Sequence, residues 1–306
     1  MKSIIKYSLV AMSLLIALPS QSCEICGCGV NSSNLGVSPQ FQKNLFGLNY
    51  QYNSFNHPFS DLSLSGNSRV LSDYYHSMGA TVRWYPKPKI QMVVNLPFAV
   101  NKRKEETRTT SIQSIGDIEV RFGYMFFNTT DSMNRKMRHM FLAGTGIQMP
   151  TGKYQQRNPE KTMYPSNFQI GSGSWANRLY AFYTIRKGNW GYNAQLNYLT
   201  YAENELKYRR GTLFSATLYS YYWIQRNAFS FLPNAALSYE NISPDQSYGL
   251  NKSNTGGQFY NVNIGLESFY KRHLLSLTFQ QPIKQNLNRF QPTKNTQFGL
   301  GISTFF

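Results

Sequence analysis

Negative charge is scarce in this chain. Of 306 residues, 14 are Asp or Glu against 31 Lys and Arg, and charged residues together make up 15%, where soluble domains carry roughly 25%. That leaves too little polar surface for a water-soluble particle of this size, and the apolar residues do not gather into a few dense core segments. Long apolar runs are also missing. After residue 23 nothing approaches about 18 uninterrupted apolar residues, which excludes helical spans but not barrels, whose strands leave a weaker trace. Histidine occurs four times. No spacing of Ser, His and carboxylates points to a hydrolytic constellation, and the chain is not expected to be an enzyme.

Aromatic residues are abundant, with 22 Tyr and 21 Phe. They sit in segments of period two, the periodicity of a strand whose side chains point to alternate faces. Ile118, Val120, Phe122, Tyr124 and Phe126 form one face, opposed by Asp117, Glu119, Arg121 and Gly123. Trp190, Tyr192, Ala194, Leu196 and Tyr198 oppose Gly191, Asn193, Gln195 and Asn197; Tyr260–Leu266 and Phe298–Phe306 repeat the arrangement. Strands fall at 41–54, 74–85, 90–100, 114–127, 137–149, 173–186, 190–203, 211–224, 228–240, 258–269, 274–283 and 295–306. These segments are about twice the 5–6 residues usual in a soluble sandwich. Alternate connections are short (86–89, 128–136, 187–189, 225–227, 270–273), and those between them are mostly longer. Short turns on one side and loops on the other belong to outer-membrane barrels, with the turns in the periplasm. Unpaired amides cannot face hydrocarbon, so the sheet must close. The expected fold is therefore all-β, a transmembrane antiparallel β-barrel of about 12 strands, multi-pass in the outer membrane, with both the mature N-terminus and the C-terminus periplasmic.

The N-terminus reads as an export signal over 1–22. Lys2 and Lys6 precede an apolar stretch from Ser8 to Leu18, and Ser20 and Ser22 stand at −3 and −1 of a cut before Cys23. Removing Lys2 and Lys6 lowers the formal charge from +17 to +15. Nucleic acid is not the expected partner, because the cations flank strands at turns and no recognition motif accompanies them. Outer-membrane lipid, lipopolysaccharide at the rim, the barrel assembly machinery and other envelope proteins are the expected partners. The basic run Lys102, Arg103, Lys104 is placed in an external loop, facing surface phosphates, a partner or solvent.

Residues 23–40 form a Cys/Gly-rich segment ahead of the barrel at 41–306. Cys23, Cys26 and Cys28 are spaced C-x2-C-x-C, with Gly27 and Gly29 giving the backbone freedom to wrap. Three thiolates suit a soft or borderline metal such as copper or zinc, or a small metal cluster. A fourth ligand could come from His139, His273, His57 or, if the segment threads through the lumen, His76. Lipidation of Cys23 and a Cys26–Cys28 disulfide remain open alternatives, since an odd cysteine in an oxidising compartment needs some partner. Asp117, Glu119 and Arg121 are expected to form a lumen salt-bridge network.

The pieces MPTGKY (Met149 to Tyr154) and FQIGSGS (Phe168 to Ser174) resemble the outer-membrane family named for the MetA pathway of phenol degradation. The resemblance implies a transporter-like barrel in which the stretch carrying Pro150, Thr151, Gly152, Lys153, Gly171 and Gly173 runs from strand to external loop to strand. The Asp often seen soon after GSGS is replaced here by Trp175, Ala176 and Asn177. CEICGCG followed by VSPQFQKNLFGLNY resembles the start of a Bacteroidota subset of such barrels. Read on the residues alone, the glycines shape the loop, and PTGK lacks the GxxxxGK[ST] spacing of a phosphate loop. Two functions remain: a transporter or channel for small solutes, with 23–40 as a partial plug, or a non-transporting structural subunit of an envelope complex with a metal-binding Cys unit.

Overall fold

The computed structural model describes residues 42–57, 71–105, 108–129, 137–158, 160–288 and 291–306. The strands among them are β1 (Leu45–Asn56), β2 (Ser72–Lys87), β3 (Ile90–Lys104), β4 (Thr109–Ile115), β5 (Ile118–Asn128), β6 (Met137–Met149), β7 (Ala176–Lys187), β8 (Trp190–Tyr201), β9 (Tyr208–Arg209), β10 (Leu213–Tyr222), β11 (Ile224–Arg226), β12 (Phe229–Ile242), β13 (Gln246–Ser247), β14 (Leu250–Asn251), β15 (Gly257–Tyr270), β16 (His273–Leu287) and β17 (Thr293–Phe305). Each long strand pairs antiparallel with its neighbours in chain order. β1 pairs with β17, and β10 pairs with β12, so the ring closes. β4 and β5 together make one stave and β11 extends the stave of β10, giving the twelve staves expected.

The wall is apolar outside and polar inside. On β8, Trp190, Tyr192, Leu196 and Tyr198 are exposed while Asn193, Gln195 and Asn197 are buried. Leu218 and Leu237 face each other across the β10–β12 pair and are 64% and 61% exposed. Burial of this kind is inverted relative to a soluble protein and fits hydrocarbon as the outer solvent. Aromatic rings mark the end carrying the tight turns. Trp190 meets Tyr222 at 4.9 Å, and Phe229 stacks on Tyr270 at 4.5 Å. Such girdles sit at the membrane interface. The first strand starts and the last strand ends at this end, where the Phe306 N–H donates to the Asn44 carbonyl at 3.1 Å.

Three departures from the expected strands matter. The stave expected at 114–127 is broken at Gly116–Asp117, because Asp117 turns away to hold a loop. The strand expected from 173 begins at Ala176, because the residues before it fold against Asp117. At the loop end β2 and β3 run beyond the expected 74–85 and 90–100, and with β4 they form a flange.

Candidate functional site

Inward-facing positions of β5, β6 and β7 build one charged wall of the lumen. The Glu119 carboxylate pairs with Arg178 and lies 3.6 Å from the Arg121 Nε. The Arg121 guanidinium sits 5.8 Å from the centre of the Tyr180 ring, and its three nitrogens meet no hydrogen-bond partner among the described residues. Tyr180 fits because Gly144 stands opposite it; a Cβ there would come within 2.8 Å of the Tyr180 hydroxyl. Toward the periplasm the same wall turns apolar, with Met125, Met140, Leu142 and Phe182 in one buried cluster. Across the ring Lys294 lies 4.0 Å from Glu240, which also accepts from the Asn261 amide at 3.3 Å.

The described part of the loop 150–175 folds into the external mouth. Asp117 fastens it. Its carboxylate accepts the Gly152 N–H at 2.8 Å, the Ser172 N–H at 2.8 Å, the Ser172 hydroxyl at 2.5 Å and the Gln148 amide at 3.2 Å. Two distant parts of the loop thus meet at one acceptor, which requires glycine where the backbones touch. Thr151 adds a hydrogen bond from its hydroxyl to the Gly116 carbonyl at 2.9 Å. Pro150 and Lys153 flank the clamp, the Lys153 carbonyl accepting the Gly171 N–H at 2.9 Å. Gly173 takes a positive φ of 66°. The loop then drops Phe168 into the mouth against Phe55, Tyr75, Ala99 and Ile112. Asn101 donates to the Phe168 carbonyl at 2.7 Å, and Arg210 donates to the Gly171 carbonyl at 2.7 Å. Beside it Asp73 is gripped by Arg103 through two bonds of 2.7 Å and by His57 at 2.9 Å.

A short sheet of β9, β13 and β14 ties the next two loops together. The Tyr208 hydroxyl donates to Asp245, which also accepts the Gly211 N–H at 2.7 Å. Burial, and then the Asp245 charge, push the Tyr208 hydroxyl pKa upward. Tyr154, half-buried, is shifted the same way by its bond to Glu205. Between these loops lies a chamber of about 570 Å³, lined by Arg103, Tyr164, Tyr208, Asp245, Lys252 and Phe259 among others.

The expected site residues are therefore dispersed. Glu119 and Arg121 meet in the lumen, joined by Arg178, but Asp117 leaves that network for the loop because the strand breaks at it. His76 projects from the outer wall, 3.1 Å from the Tyr50 hydroxyl and with its ring against Tyr52. Tyr75 takes the inward position next to it, so a segment inside the lumen does not meet His76. His139, half-buried, and His273, exposed, sit at the turn end on separate staves, bonded to Tyr183 at 2.8 Å and Thr304 at 3.1 Å. His57 is held by Asp73. Cys23, Cys26 and Cys28 lie outside the described residues, as does the proposed signal. Arg178, Glu240, Lys294 and the Asp73–Arg103 pair went unnoticed in sequence, although their inward strand parity was a usable signal.

Residues 41–303 match the family described as "Putative MetA-pathway of phenol degradation". The chain belongs to this family. No curated protein matches it. Among solved structures it is similar to the COG4313 outer membrane channel from Pseudomonas putida F1, at 14% identity and a TM-score of 0.65 over 86% of this chain and 96% of that one. The β domain of the Bordetella autotransporter BrkA (10% identity, TM-score 0.48, 86% and 100% covered) and the NanC porin (10%, 0.46, 85% and 99%) also match. At these identities the likeness is one of fold. This family member is an outer-membrane β-barrel that crosses the bilayer with its staves, and its tight turns mark the periplasmic end.

Proposed function

We propose that the chain is a narrow channel for small solutes, closed at its mouth by the clamped loop 150–175. The observation that carries this reading is the polar inner wall. Buried Asn193, Gln195, Asn197, Glu119 and Arg121 line the lumen, where a barrel serving only as an anchor could be filled with apolar side chains. The Glu119–Arg121–Arg178 group on one side and Glu240 with Lys294 on the other give this wall mixed charge. The test is conductance in planar bilayers, with uptake of small sugars, amino acids and carboxylates into liposomes. Wild-type protein should give small conductance steps, and Asp117→Ala, which releases the loop, larger ones. Silence in both would end the channel reading.

The tight packing of the lumen favours a second reading. Arg83, Arg121 and Arg178 are all at most 2% exposed, as expected of a structural subunit whose lumen carries nothing. That reading predicts stable co-purifying envelope proteins in mild detergent, and the channel reading does not.

A further inference from the structure

The basic run Lys102–Arg103–Lys104 lies at the end of β3 and not in a loop, and strand parity sorts its charges. Arg103 points inward to Asp73. Lys102 and Lys104 point outward and are exposed. Two outward rows cross the flange in register, Tyr74–Lys102–Ser111 and Ser72–Lys104–Thr109. The two ammonium groups are rooted about 7 Å apart along the strand. The carboxylates nearby do not share this face. Asp73 is buried inward and Glu105 lies past the strand end, so among the described residues the outward positions of β2, β3 and β4 above Phe98 carry no acid.

Height decides what this face meets. Positions of outward parity on β3 from Ile90 to Val100 are all apolar. Ten residues at about 3.3 Å each, tilted about 40°, span roughly 25 Å, the depth of the apolar band of such barrels. Lys102 is the next outward position, so it stands at the headgroup level of the outer leaflet. Exposed Leu96 and Phe98 lie directly below for acyl chains. Hydroxyls from Tyr74, Ser72, Ser111 and Thr109 flank the two cations as donors.

We propose that this face of the flange binds the phosphorylated glucosamine headgroup of an outer-leaflet glycolipid, with Lys102 and Lys104 on its phosphates. Cation–phosphate pairing beside hydroxyl donors, above an apolar wall, suits that headgroup and not a soluble acidic protein, which would gain nothing from Leu96 and Phe98.

The test is native mass spectrometry of the detergent-solubilised full chain with added diphosphorylated lipid A, with folding checked by heat-modifiable gel mobility. Wild type should hold one lipid A. Lys102→Ala/Lys104→Ala should need at least ~10-fold more lipid for equal occupancy. Lys102→Arg/Lys104→Arg should retain binding, as should Lys187→Ala/Lys271→Ala at the opposite rim. Equal binding of dephosphorylated lipid A, undiminished binding by the double alanine variant, or an equal loss at the opposite rim overturns the proposal. Full displacement by millimolar inorganic phosphate would assign the site to free anion and overturn it as well. If the alanine variant does not fold, Lys102→Gln/Lys104→Gln carries the same comparison.

Discussion

Gly171 packs its backbone against that of Gly152, close enough that a Cβ at 171 would stand 2.1 Å from the Gly152 carbonyl oxygen. Asp117 holds both strands of this contact. The PTG and GSG pieces are thus the two halves of one clamp, and their glycines are fixed by contact distance.

Replacing the clamp acceptor should free the loop. Asp117→Ala leaves the buried Gly152 and Ser172 N–H groups without their acceptor, at about 1–3 kcal/mol each. We expect a lower unfolding temperature, protease cleavage within 150–175 and a several-fold rise in conductance. Gly171→Ala should act in the same direction through steric displacement. An unchanged digestion pattern in both variants would refute the clamp.

In the lumen, Glu119 separates two buried guanidinium groups. Glu119→Gln leaves Arg121 and Arg178 facing each other without a counter-charge, a loss of about 3–5 kcal/mol, measurable as a lower urea midpoint for the folded form. Adding Arg178→Met should recover much of it. If single and double variants unfold alike, the pair contributes nothing.

The Tyr208–Asp245 bond makes the external cap sensitive to alkali. The folded pKa of Tyr208 is raised, so the neutral hydroxyl is the form that the closed cap keeps. The stabilisation is complete below the ordinary tyrosine value of about 10 and is lost as pH climbs from there through the raised folded value. The wild-type minus Tyr208→Phe tyrosinate spectrum should show one hydroxyl ionising later than the rest. Ionisation at the ordinary value would remove the argument.

Elemental analysis with intact mass of the mature chain tests the cysteine segment. Metal ligation predicts about one equivalent of copper or zinc after anaerobic purification, lost in Cys26→Ser/Cys28→Ser. An added acyl mass would point to lipidation of Cys23, and a two-dalton deficit without metal to a disulfide.

The barrel was legible because its signal is repeated along every stave: Trp190–Tyr198 against Gly191–Asn197 needs no tertiary knowledge to read. The site was only partly legible. Glu119 and Arg121 share a strand, so their meeting follows from parity, but Arg178 joins them from another stave and depends on register. Asp117 looked like one more inward residue of the same strand. Its true partners, Gly152 and Ser172, lie 35 and 55 residues away, and no local pattern announces a carboxylate that accepts backbone N–H groups. His76 has a height near the rim that strand position makes readable, but its parity puts it on the outer face beside Tyr50, away from any segment in the lumen.

Alternation along β3 also constrains how such a wall can change over generations. Deleting a single residue between Phe98 and Lys102 would turn Lys102 and Lys104 into the lumen and push Arg103 toward lipid, reversing every later side chain of the stave at once. Losses and gains within a stave are therefore tolerable in twos, or singly where a bulge absorbs the odd residue, as at the register shift between Met125 and Phe127. Length variation among descendants of this gene should accumulate in the external loops, while the staves change length in steps of two.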